Sequence, residues 1–119
     1  MILGFDPAFA APIQAGTKIH TIRRGYRWQA GQLISFCLNA DQATGQTFHP
    51  DNTVSSIQHL RILHGQHLFI DERPILGAEL EQLAQHDGFP NSEALLNWFH
   101  YHYGPLFEGQ LIHWTPARY

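Results

Sequence analysis

The chain has 119 residues, 44% hydrophobic and 14% charged, which suits a single globular domain spanning residues 1–119 and excludes a disordered polymer. No apolar run approaches the roughly 20 residues of a membrane helix, and Met1 to Asp6 lacks the basic and long apolar regions of a signal peptide, so a cytoplasmic setting is expected. Cys37 is the sole cysteine, which rules out an internal disulfide, and the net charge of -3 argues against a broad sheath for nucleic-acid backbone.

In chain order, Asp6-Pro7 reads as an N-cap followed by proline at the first helical position, opening a short helix interrupted by Pro12 and stopped at Gly16. Trp28-Gln29-Ala30-Gly31 reads as a turn before a strand over Leu33 to Leu38, with Ile34, Phe36 and Leu38 on one face. Residues 39–52 are polar, contain Gly45 and Pro50, and read as a long hairpin loop. Thr53 to Leu63 and His67 to Ile70 read as strands around His64-Gly65, and Gln110 to Thr115 as a last strand ended by Pro116. Between them, a helix from Ala78 to His86 places Leu80, Leu83 and Ala84 on one face and stops at Gly88. A second helix is capped by Asn91 or Ser92, repeats Leu95, Phe99 and Tyr103 every fourth residue, and ends at Gly104-Pro105. Five or six short strands with two or three short helices make an α+β domain, for which a small barrel is the economical closure.

Charge is uneven along this chain. Residues 1–60 hold Lys18, Arg23, Arg24 and Arg27 against Asp6, Asp41 and Asp51, a balance of +1, whereas residues 61–119 hold three arginines against seven acids, a balance of -4. Lys18 is the only lysine, and it stands in Gly16-Thr17-Lys18-Ile19-His20-Thr21-Ile22-Arg23-Arg24. That segment gathers an amine, two hydroxyls, an imidazole and two guanidiniums, with Tyr26 and Trp28 close behind. It reads either as a small basic-aromatic patch for a nucleotide or short RNA, or as a solvated basic turn.

Several pieces, in order, resemble the ASCH family, a branch of the PUA-like β-barrels. They are Gly16-x-Lys18-x-x-Thr21-x-Arg23, Trp28-x-x-Gly31 before a strand, Asp87-Gly88-Phe89 after a short helix, Trp98-Phe99 through Tyr103-Gly104, and Leu111-Ile112-His113-Trp114. The resemblance implies a PUA-like barrel that acts on RNA or nucleosides. One branch of the family removes the acetyl group from N4-acetylcytidine, and its catalytic lysine and threonine fall on Lys18 and Thr21. Its catalytic glutamate falls nearest Asp87, one methylene shorter. The second helix here is longer than in those compact amidohydrolases and is similar to the larger ASCH branch.

The residues can be judged without the family. Amide hydrolysis needs a nucleophile, a group that moves protons, and donors for the developing oxyanion. Thr21 supplies a hydroxyl. Lys18 takes a proton only when neutral, so burial must lower its pKa, and a nearby Asp87 opposes that; water in the base role eases the conflict. In a regular strand Lys18 and Thr21 point to opposite faces, so they converge only if the chain bends after Gly16. Asp87 follows Leu83 by four and Leu80 by seven, which puts a carboxylate on the apolar face of its helix, in want of a cation or donors. The competing reading is a turn aspartate in an Asp-Gly stop.

Arg23 is expected to pair with Asp87 or to meet a phosphate or base carbonyl. His20, Arg24 and Tyr26 are candidate substrate contacts with Arg27 at the rim, and Trp28 is read as core. His64-x-x-His67 and His100-x-His102 lack the partners of a zinc site, so no metal is expected, and no phosphate-binding glycine loop or other cofactor motif is present. Cys37 lies in an apolar strand and is read as buried. The leading reading is a hydrolase of an acylated cytidine or similar modified nucleoside, with Lys18, Thr21 and Asp87 catalytic. The alternatives are a non-catalytic RNA-binding module and a ribonuclease using the same cleft.

Overall fold

The computed structural model describes residues 1–38 and 46–119. Among them, eight strands and three α-helices run in the order β1 (Ile2–Phe5), a 3-10 turn (Pro7–Phe9), α1 (Ala10–Ala15), β2 (His20–Arg24), β3 (Leu33–Leu38), β4 (Gln46–Thr53), β5 (Ser56–Leu63), β6 (His67–Ile70), β7 (Arg73–Pro74), α2 (Gly77–His86), α3 (Ser92–Tyr103) and β8 (Phe107–His113). The α+β class is as the sequence indicates. The described strands form two sheets, one of order β1-β3-β4 and one of order β2-β8-β5-β6-β7. No helix among the described residues is long and apolar enough to cross a membrane.

The larger sheet carries apolar side chains on both faces. On one face Ile22, Leu60, Ile62, Leu68, Phe107 and Leu111 pack against Leu83 and Ala84 of α2 and Leu95 and Phe99 of α3. On the other, Ile112 and Trp114 join Leu3, Phe5, Ile34 and Phe36 of the smaller sheet, Ile13 of α1 and the buried Trp28. β8 lies between β2 and β5, and almost every residue in it is buried, the polar Gln110 and His113 included. Among the described residues β2 pairs only with β8 and is an edge strand of its sheet.

Several sequence expectations are corrected. The stretch expected to be loop over 39–52 is strand from Gln46 onward, and residues 39–45 lie outside the described residues. Pro50 is tolerated because β4 is an edge strand with free N–H positions. Thr53 belongs to β4, and β5 starts only at Ser56. The first helix is a 3-10 turn running into α1, capped by the Asp6 side chain; Pro12 falls in the first turn of α1, where its missing N–H breaks nothing. The last strand begins at Phe107 and ends at His113. β1 carried no separate signal: it is four residues long and is held by parallel pairing to β3, a partner some thirty residues away.

Candidate functional site

The segment before β2 is bent as convergence requires. Gly16 ends α1 in the left-handed region at φ 79°, and the N–H groups of Thr17 and Lys18 both donate to the Pro12 carbonyl, at 3.0 and 3.1 Å. Ile19 N–H then donates to His86 O at 2.9 Å, tying the lead-in to the end of α2. Regular strand begins only at His20, so Lys18 escapes the alternation that would turn it away from Thr21. Thr21 and Arg23 share one face of β2 by period two, and both line a cavity with Lys18 and Asp87.

That cavity has a volume of about 170 Å³. Its walls are β1 and the turn that follows it (Gly4, Phe5, Asp6, Phe9), the end of α2 with Phe89, and Trp98, Phe99 and Tyr103 of α3. The volume is below the roughly 300 Å³ at which whole-ligand pockets begin, so the space matches a planar group entering between aromatic walls.

Lys18 is 2% exposed. Its Nζ donates to His20 O at 2.9 Å and Asp87 O at 2.5 Å, lies 3.5 Å from Asp87 Oδ1, and rests over the Phe9 ring at 4.9 Å. Three acceptors match the three N–H bonds of an ammonium. Burial nevertheless lowers its pKa from the usual 10.5 to about 8; the Asp87 carboxylate opposes the fall and Arg23 adds to it. Lys18 also neutralises the exposed carbonyl end of α2, where Asp87 alone is unfavourable.

Asp87 is the C-cap of α2 and 3% exposed. The aspartate reaches despite its shorter arm: Oδ1 meets Lys18 and, at 2.9 Å, His20 Nδ1. Oδ2 has no protein partner among the described residues and belongs to a residue that lines the cavity. Gly88 follows at φ 99°, and a Cβ there would come within 2.9 Å of Phe9 and 3.1 Å of Lys18 Cδ. Only glycine both turns the chain and leaves room for the lysine.

Arg23 does not pair with Asp87. Its Nη2 donates to Gly4 O at 2.7 Å, and its guanidinium lies over the Phe5 ring at 5.1 Å. Its other N–H groups have no protein acceptor among the described residues. The Thr21 hydroxyl, likewise without one, faces the same cavity.

The remaining candidates separate. His20 is fully buried, on the opposite face of β2 from Thr21, and touches Asp87 rather than the cavity. Arg24 sits outside the cavity with its guanidinium 5.7 Å from the Tyr103 ring. Tyr26 is exposed, stacks on His59 and donates to Glu108. The supposed surface patch over residues 18–27 therefore divides, since Lys18 is interior and Trp28 is core. Cys37 is buried. Sequence reasoning gave no role to Phe9, Phe89, Trp98 or Tyr103 as cavity walls, nor to Tyr119 and His86, which reach His20 from afar; only the partial exposure of Trp98 and Tyr103 on an otherwise apolar helix face separates them from core. Among the described residues no group of three His, Cys, Asp or Glu is arranged to hold a metal ion.

No family model matches this chain, and no curated protein or solved structure matches it either.

Proposed function

We propose that this protein is a nucleoside-directed amidohydrolase of the ASCH type, a member of the PUA-like β-barrels, acting on the amide of N4-acetylcytidine or a related modified nucleoside. The observation that carries the reading is one base-sized cavity containing an amine, a hydroxyl, a carboxylate and a guanidinium between aromatic walls. A carboxylate is a natural acceptor for the exocyclic N4–H of cytosine, and the Arg23 guanidinium a natural donor to its carbonyl.

Chemistry can be assigned to these groups in balanced steps. Asp87 takes a proton from water, and the hydroxide attacks the acetyl carbon. Thr21 Oγ–H and Arg23 donate to the oxyanion. The Lys18 ammonium gives a proton to N4 as the C–N bond breaks, releasing cytidine and acetic acid, which loses its proton to solvent, and Asp87 returns its proton to Lys18. An amine with a pKa of about 8 is charged at neutral pH and yet a better acid than an ordinary lysine. The three acceptors around Nζ favour this assignment over a neutral lysine base.

The test is to incubate purified protein with N4-acetylcytidine and follow cytidine by chromatography, with Asp87→Asn as control. Turnover by the wild type alone supports the reading. No turnover, with tight and salt-sensitive RNA binding, supports the second reading of a binding module or ribonuclease, which the exposed Arg24 beside Tyr103 of the cavity wall favours.

A further inference from the structure

Behind the cavity, Asp87 is joined to a chain of side chains that the proposed reaction does not use. Asp87 Oδ1 meets His20 Nδ1 at 2.9 Å, His20 Nε2 meets Tyr119 Oη at 2.6 Å, and Tyr119 Oη meets His86 Nδ1 at 3.3 Å. His20 is fully buried. The rings of His113, Tyr119 and His86 surround it at 5.3, 5.3 and 6.3 Å between centroids.

The hydrogen bonds can be satisfied in one consistent direction. A carboxylate only accepts, so the proton of neutral His20 sits on Nδ1 and points at Asp87. Nε2 is then an acceptor, and Tyr119 donates to it. The phenol oxygen, having spent its one proton, accepts from His86 Nδ1–H. Lys18 and His86 oppose a positive charge on the ring from their sides, and among the described residues Asp87 is the acid that favours it. Burial weighs most, so His20 stays neutral below the usual histidine range.

Consider what this does to Asp87. Both ligands on its carboxylate, Lys18 and His20, bind the same oxygen. A partial rotation about the Cβ–Cγ bond would sacrifice the His20 contact, and a half turn only exchanges two equivalent oxygens, so one oxygen is always held free for the cavity. A carboxylate tied by Lys18 alone, at 3.5 Å, would be held far less firmly.

We propose that His20 is a positioning residue, locked in its Nδ1–H tautomer by Tyr119, which fixes Asp87 so that one carboxylate oxygen faces the cavity. This rests on the reading of Asp87 as the proton acceptor of the site, and it assigns His20 a place behind the substrate rather than against it. An oriented imidazole between an acid and a third group follows the same logic as other triads, with the order of members changed.

The experiment has a spectroscopic arm and a kinetic arm. Long-range 1H–15N NMR of wild type at about pH 6, where an ordinary histidine is largely protonated, should show His20 neutral with its proton on Nδ1. A protonated ring, or a proton on Nε2, overturns the proposal. This arm needs no substrate, so it holds or fails independently of the amidohydrolase reading. In the kinetic arm, the amide nitrogen of His20→Asn occupies the position of Nδ1 and can still donate to Asp87, whereas His20→Leu cannot. With N4-acetylcytidine, Asn should keep kcat within about threefold, and Leu should lose about ten- to a hundredfold in kcat with KM little changed, the range seen for groups that orient a reacting ligand. Equal loss in both variants, or loss confined to KM, overturns it. If Leu does not fold, Tyr119→Phe keeps the question open to refutation: it should shift the His20 Nε2 resonance and lower kcat several-fold, and an unchanged spectrum rejects the lock.

Discussion

Replacing Lys18 by methionine should flatten the rise in stability with pH that the wild type shows on the alkaline side. The folded amine has a pKa of about 8 against 10.5 when exposed, with burial the largest cause. Below about 8 it is charged in both states, and the cost of burying it is fully present. Between about 8 and 10.5 the unfolded chain holds a proton that the folded chain has released, so stability rises with pH in this window. Integrating proton uptake from about pH 7 to about pH 9.5 gives roughly 2 kcal/mol from this one group. Because Lys18 is enclosed, no solvent screening reduces that figure. Methionine matches the four-atom apolar stem of lysine but lacks the amine and cannot titrate. It also leaves the His20 and Asp87 carbonyls without their donor, at about 1–3 kcal/mol for each unsatisfied group, an offset that does not depend on pH. The measurement is urea denaturation of both proteins across this range. With a slope of about 1–3 kcal/mol per molar urea, the wild-type midpoint should rise by about 1 M relative to the variant. Taking the difference cancels groups common to both, including Tyr119, whose pKa burial raises. Parallel profiles would refute the reasoning: Lys18 would then titrate as an ordinary lysine, and its fitness as an acid near neutrality would go with it.

Other outcomes follow from neighbouring groups. Asp87→Asn keeps the shape of the site but removes its proton acceptor, so turnover of N4-acetylcytidine should fall by about a hundredfold or more, and unchanged turnover would leave Asp87 as a helix-end residue only. Gly88→Ala puts a Cβ against Phe9 and Lys18 at a backbone angle of φ 99°, and should cost about 1–3 kcal/mol, read as a drop of several degrees in Tm; an unaltered Tm would mean that the loop relaxes freely. On the acid side, burial lowers the His113 pKa to about 4; its Nε2 donates to Gln58 and its Nδ1 is buried without a partner among the described residues. Stability should therefore be lost as pH falls from about 6.5 towards about 4, and His113→Phe should shrink that loss, as seen by thermal melts across the window.

The sequence by itself determined the elements whose cause is local. Asn91 caps α3 because its side chain reaches Ala94 N–H three residues on, and Gly104 ends that helix at a positive φ of 82° that favours glycine. The period-two alternation of Ile34 and Phe36 and the four-residue spacing of Leu95 and Phe99 each expose one buried face, whatever lies opposite. The site was legible to the same extent. A lone lysine, a threonine three residues later and a carboxylate on the apolar side of a helix are unusual enough to stand out as residue types. What they do depends on distance in space, which the chain order does not carry. Tertiary structure alone decided that Lys18 is interior and that Arg23 turns to Gly4 rather than to Asp87, because parallel pairing of β1 with β3 brings that carbonyl to β2. It also decided that His20 faces α2 while Thr21 faces the cavity, since one strand must serve two cores. Tyr119 and His86 join His20 across 99 and 66 residues of chain, and β4 is a strand despite Pro50 because it lies at a sheet edge. Polar side chains in a core take their roles from partners brought by packing, and local propensity has no access to those partners.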